Sequence, residues 1–274
     1  MNISRSGYYK WLNNLDKLNQ YEIDRLQLKD LITDIHRRKP SYGYHRINTL
    51  ILRETGWCVS DNLVHKVCKA LNIKSKAKHY KYKSIKPGEE SIKYPNLIKG
   101  DWNASRPFEK VVSDTTTFWF KKQCYDWTFY LDVFNNEIVG SDVRESKHGS
   151  NVSNHRFALN NMLENKIKRG YKNLETIFHT DQGKVYSSRS FNNILKGFSI
   201  ARSMSRAGTP TDNPVIESKN GWLKKEMYID FDINNYNTVQ EFIKDIIEDN
   251  NNFRPSYALK YKTPIEYRIQ SGFP

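Results

Sequence analysis

Three carboxylates of this 274-residue chain, Asp114, Asp181 and Glu217, have positions that raise a question of chemistry, and the first stands where aspartate is poorly suited. Asp114 interrupts KVVSDTTTFWF, a run of β-branched and aromatic residues, where Val112, Thr116 and Phe118 share its face at a period of two. Asp181 follows the apolar run of NLETIFHT and precedes Gly183, which is expected to turn the backbone and leave the carboxylate at the carboxyl end of a strand. Glu217 lies in TDNPVIESKNGWLKKEM, one turn inside a helix that Asn213 can cap and Pro214 can open. A buried carboxylate needs hydrogen bonds, an opposite charge or a metal to offset its desolvation. Singly, each acid reads as a cap, a turn or a surface residue. As a converging set they offer the oxygen donors that hard cations such as Mg2+ take, and two ions ~3.5 to 4 Å apart support in-line phosphoryl transfer.

The elements around these residues must bring them together. KVVSDTTTFWF, CYDWTFYLDVF and EIVGSDVRES read as three consecutive antiparallel strands separated by short polar turns. HRFALNNMLENKIKRG follows as a helix, NLETIFHT as a fourth strand, SFNNILKG as a helix, FSIARSMS as a fifth strand, and a last helix begins at Asn213. That order is the order of an RNase H-like α/β domain. On the last helix Ile216, Leu223 and Met227 mark the buried side, whereas Glu217, Gly221 and Lys224 form another stripe. Lys224 then stands ~10 Å from Glu217 along the axis, with a glycine between them that permits close approach of a bulky ligand.

Upstream, the chain reads as helical. Ile23, Leu26, Leu31 and Ile35 fall near helical spacing before Pro40, and GYHRINTLILRE gives a second helix ending at Gly56. Ser60 can cap a third helix that carries Val64, Val67, Cys68 and Leu71 on one face and Asn62, His65, Lys66 and Lys69 on the outside. The pair joined by TGWCVS reads equally as a helix-turn-helix or as a plain helical bundle with a solvated face. From Asn62 to Gly88 there are eight lysines and no acid, and Lys78, Lys81 and Lys83 alternate with Tyr80 and Tyr82, a pattern suited to a phosphate backbone. The organisation expected is 1–73 helical and DNA-binding-like, 74–107 basic linker, 108–230 catalytic core, and 231–274 a C-terminal helix and basic tail.

With 44 Lys and Arg against 30 Asp and Glu, the formal charge is +14, which favours a polyanionic partner. No apolar run approaches the ~18 residues of a membrane span, and three scattered cysteines suit a reducing compartment, so a cytoplasmic, nucleoid-associated location is expected. His36, His45, Cys58 and Cys68 have the order of a zinc site but the wrong spacing.

Between Asp181 and Glu217 lie 35 residues, and Lys224 is seven beyond the glutamate. This resembles the DD(35)E signature of the retroviral-integrase and bacterial transposase superfamily. SRSGYYKWL, SYGYHRI, LDVFNNEIVG, FHTDQGKVYSS, SMSRAGTPTDNPVIES, LKKEM and NNFRPSYALKYKTPIEYR resemble, in order, the blocks of second-frame (orfB) transposases of the insertion-sequence family numbered three. The resemblance implies an RNase H-like core with a mixed five-stranded sheet, in which Asp114, Asp181 and Glu217 hold Mg2+ or Mn2+, two ions in all, and Lys224 meets the DNA end. It implies 3′-end cleavage and strand transfer on double-stranded DNA, both element ends and target, by a homo-oligomer with a possible first-frame (orfA) partner. The alternatives are a non-catalytic DNA-binding regulator and an RNase H-type nuclease. Asp132, Asp212, His179 and Trp222 are secondary candidates: Asp132 as an acid approaching the site from the second strand or a structural or turn residue, Asp212 as a helix-start residue, His179 as a phosphate contact or a residue ordering the site, and Trp222 as packing or a contact with DNA.

Overall fold

In the computed structural model the described residues are 4–14, 19–77, 92–146, 152–183, 185–206 and 213–274. They form two compact units, Met1–Ala77 and Lys78–Pro274.

The first unit holds α1 (Arg5–Asn14), α2 (Gln20–Arg38), α3 (Tyr44–Thr55) and α4 (Asp61–Ala70). Asn19 and Glu22 start α2 with a reciprocal capping box, and Gly56, in the left-handed conformation at φ 72°, ends α3. Ser60 caps α4 by accepting from the Leu63 N–H, as its position implies. The core joins Leu28, Ile32 and Ile35 of α2 to Ile47 and Ile51 of α3 and to Val64, Val67 and Cys68 of α4. The α2 stripe differs from the expected one: Leu28, Ile32 and Ile35 follow a strict i, i+4, i+7 course, whereas Leu26 drifts off that face and is exposed. Asp61 ties α4 to α3, accepting from His45 Nδ1 at 2.8 Å and Asn48 Nδ2 at 2.7 Å. Asn62, His65, Lys66 and Lys69 lie exposed along α4.

In the second unit β1 (Lys110–Phe120), β2 (Gln123–Asp132), β3 (Ile138–Glu145), β4 (Thr176–Thr180) and β5 (Ile200–Met204) form one sheet in the order β3-β2-β1-β4-β5. β1, β2 and β3 pair antiparallel, and β1–β4 and β4–β5 pair parallel, so the sheet is mixed and RNase H-like. Strand alternation divides the core. Val112, Phe118, Phe129 and Leu131 face α7 (Pro214–Ile229) and α8 (Val239–Glu248), while Val111, Tyr130 and Phe178 face α5 (Val152–Lys168) and α6 (Arg189–Ile194). Asp114 has the parity of Val112 and therefore lies on the α7 side.

The last part of the expected linker, from residue 92, and the tail belong to this unit, whereas residues 74–77 belong to the first. Trp102 packs on the α7-side core, and Leu97 N–H donates to Ser203 Oγ at 2.9 Å. The C-terminal segment covers the core through Phe242, Ile243 and Ile246 of α8. Its arginines meet buried acids: Arg254 binds Glu226 of α7 with both nitrogens, at 2.6 and 2.9 Å, and Arg268, from α9 (Pro264–Gln270), binds Glu137 at 3.0 Å. No described helix is long and apolar enough to cross a membrane.

Candidate active site

The parallel register pairs Ser113 with Thr180, so Asp114 and Asp181 follow side by side where β4 ends. Asp114 Oδ1 accepts from the Thr115 N–H at 2.8 Å, and its Oδ2 accepts from the Asn220 amide of α7. Burial first, then the charge of Asp181, and more weakly that of Glu217, push the Asp114 carboxyl up to about 7, against the Thr115 N–H and the Lys224 ammonium. Asp181 Oδ1 accepts from the Gly183 N–H at 3.0 Å, and burial raises its carboxyl as well. Gly183 has a steric reason beside the turn expected of it. A Cβ there would stand 2.9 Å from Asp181 Oδ1, so the glycine leaves room for the carboxylate.

Glu217 occupies the first turn of α7 and is exposed, its carboxyl raised by partial desolvation. Pro214 opens the helix as expected, and Ile216, Leu223 and Met227 are buried. Asn213 does not cap as expected: its backbone stands at ψ 52°, outside the extended conformation of a cap residue, and its side chain makes no cap hydrogen bond. Lys224 is half-buried on the same helix, its ammonium lowered by desolvation while the Asp114 charge opposes that shift.

Among the described residues, no three His, Cys, Asp or Glu side chains are gathered closely enough to hold an ion. The acids sense one another's charge, yet Asp114 and Asp181 are held by backbone or amide donors instead.

Three family models match the chain: an integrase core domain over residues 104–210, a second integrase core domain over 199–264, and an HTH-like domain over 22–81. The putative transposase InsK for insertion sequence element IS150 of Escherichia coli K12 is 33% identical over 277 aligned residues, covering 99% of this chain and 92% of that protein. The chain belongs to the insertion-sequence transposase family. A transposase-like protein of Haemophilus influenzae is 32% identical over 81% of this chain and 99% of its own length. The transposase for insertion sequence element IS904 of Lactococcus lactis is 27% identical over 91% and 96%. A DDE-type polynucleotidyl transferase with an RNase H-like core behind an HTH-like domain is thus the class of this transposase.

The remaining candidates separate cleanly. Asp132 is fully buried away from the acids and accepts from the Phe108 and Phe134 N–H groups at 2.7 and 3.0 Å, the turn role weighed for it. His179 is buried, with Nδ1 at 2.8 Å from Ser203 Oγ and its ring edge-on to Trp102, which removes it from phosphate contact. Trp222 is half-buried beneath the Lys225 ammonium, 5.2 Å from the ring centroid. Lys78, Lys81, Lys83 and Asp212 lie outside the described residues.

Two residues of the transposase site escaped sequence reasoning. Asn220, three beyond Glu217 and four before Lys224, shares their helical face, and that spacing was the signal available. Tyr186 had no such signal: its buried hydroxyl meets Ser113 Oγ at 2.9 Å, joining the segment after Asp181 to the strand that bears Asp114.

Proposed function

We propose that this chain carries out divalent-metal-dependent cleavage at the 3′ ends of its element and transfer of those ends to another phosphodiester. The observation that carries the reading is the Asp114 carboxyl, raised to about 7 among two further acids with Lys224 opposite, in a chain of charge +14. A desolvated acidic hole in a basic protein suits a cation that a polyanion accompanies. Asp114, Asp181 and Glu217 supply only oxygen donors and would hold Mg2+ or Mn2+, two ions in the fullest form. Such ions would supply an activated oxygen and stabilise the leaving one.

The chain's own residues do the rest. Asn220 orients the Asp114 carboxylate and Gly183 leaves Asp181 its space. Asp114 must give up its proton before it can act as a ligand. Lys224 neutralises phosphate beside the acids, and exposed Lys66 and Lys69, with Lys78, Lys81 and Lys83, bind DNA backbone. A homo-oligomer on DNA and a first-frame partner belong to the same reading.

The test is a strand-transfer assay with duplexes carrying the ends that flank the gene. Joined product that needs Mg2+ and disappears in Asp181→Asn, with DNA binding retained, supports the proposal. Binding without cleavage in the wild type would make the chain a regulator, and cutting of RNA in a hybrid would make it an RNase H-type nuclease. In the same assay format, Lys66→Ala and Lys69→Ala should each reduce the slope of log affinity against log salt by about 0.9.

A further inference from the structure

Two ties join β1 to α7. The Asn220 amide holds Asp114 near the acids, and the Tyr228 hydroxyl accepts from the Trp119 N–H at 2.8 Å and donates to the Trp119 carbonyl at 2.9 Å. Both elements therefore run the same way from the acids to the β1–β2 hairpin. Between the two ties the strand advances five residues, ~17 Å, and the helix eight residues from Asn220 to Tyr228, ~12 Å along its axis.

Along this span the solvent side of α7 carries Glu217, Gly221, Lys224, Lys225 and Tyr228. Gly221 is a glycine the fold does not require. An added Cβ would meet nothing within 4 Å, and glycine in a helix interior costs stability relative to alanine. At the far end the Trp119 indole is 59% exposed although its backbone is fixed. Lys121 and Lys122 form the two-residue turn between the paired Phe120 and Gln123, and Lys121 holds φ at 53°, where hairpins favour glycine or asparagine. Local turn chemistry is broken in favour of exposed positive charge.

We propose that the hairpin tip, Lys121 and Lys122 with Trp119 on the opposite sheet face, is a second contact for duplex DNA, about four to five base pairs from the reacting end at 3.4 Å per pair, with Gly221 leaving α7 bare between them. The inference rests on the proposed DNA-joining site at the acids. The +14 charge and the four lysines along the span commit the surface to a polyanion.

The experiment uses the full chain in Ca2+ without turnover and element-end duplexes bearing a photo-crosslinker at the fifth or the fifteenth base pair. Crosslinks to residues 119–122 are expected from the fifth pair and not from the fifteenth. Lys121→Gln/Lys122→Gln should lower the salt slope by about 2. Trp119→Ala, which leaves the backbone tie to Tyr228 intact, should weaken end binding about tenfold. Gly221→Ala should raise the thermal midpoint while weakening the same binding, which a purely structural glycine would not do. Crosslinks from the tip to a second copy of the chain, or unchanged salt slopes, would overturn the inference. Loss of joining in the wild type with the crosslinks retained would instead count against the catalytic reading alone.

Discussion

The side-chain amide of Asn220 donates to Oδ2 of Asp114, tying α7 to β1 one turn beyond Glu217. The bond occupies an oxygen that a metal ion would also use, so Asn220 both orients the carboxylate and competes for it. Partners that orient a ligand typically matter 10- to 100-fold (about that range) in affinity or rate. Asn220→Ala is expected to lower strand transfer by about that factor with the thermal midpoint little changed. Asn220→Asp adds a fourth acid and should move the rising limb of the pH–rate profile to higher pH. An unchanged profile in Asn220→Asp would remove Asn220 from the site.

The raised Asp114 carboxyl makes metal binding and proton release a single event. Its folded value of about 7 lies above the ordinary 3.8 because of burial and then the Asp181 charge. The metal-free folded chain thus retains a proton that the unfolded chain has lost. Its stabilising contribution is complete below 3.8 and disappears as the pH rises through 7. Burial also pushes Asp132 up to about 7, and it adds a contribution of the same sign. Calorimetry in EDTA should show stability falling across that window. Mg2+ competes with the Asp114 proton, so the gain it gives should grow as the pH rises through 7. Asp114→Asn should abolish the gain and leave the Asp132 part of the slope. A metal-induced gain equal at all pH values would contradict this assignment.

Gly183 tests the space around Asp181. A methyl group 2.9 Å from Oδ1 must displace the carboxylate or its loop. Gly183→Ala should cost about tenfold or more in joining while leaving urea denaturation nearly unchanged, since the residue contributes no apolar packing. A rate within twofold of wild type would mean that the carboxylate has room to spare.

Strand positions were legible because alternation is local. Asp114 broke the pattern of KVVSDTTTFWF, and the structure pairs that run along its whole length with β2. Glu217 and Lys224 were legible because a helix repeats. The contacts of Tyr186, Asn220 and Arg254 were not, since each is fixed by a partner distant in sequence: Ser113, Asp114 and Glu226. For Gly183 the sequence indicates a turn, and the structure adds the space it leaves for Asp181 Oδ1. Sequence marks a glycine without saying whether it serves the backbone conformation or a neighbour's volume. The basic C-terminal tail leaves open in sequence whether it covers the core, contacts DNA or meets a second subunit: charge is visible in sequence, and the buried acid that meets it is not.

A buried ion pair links the tail to α7 and so to the site. Arg254 and Glu226 are both buried, and the guanidinium grips the carboxylate with two nitrogens. Removing the cation leaves the Glu226 carboxylate desolvated without that partner, a loss of about 3–5 kcal/mol for buried pairs. Glu226 lies on α7, nine residues beyond Glu217, so strain there bears on the helix that carries the third acid. Arg254→Ala should lower the urea midpoint by the corresponding amount and reduce joining even where the chain remains folded. Arg254→Met with Glu226→Leu replaces the pair by apolar volume and should restore most of the stability. If the double variant regains both stability and joining, the ion pair acts only by holding α7. Stability regained without joining would show that the charges themselves reach the acids.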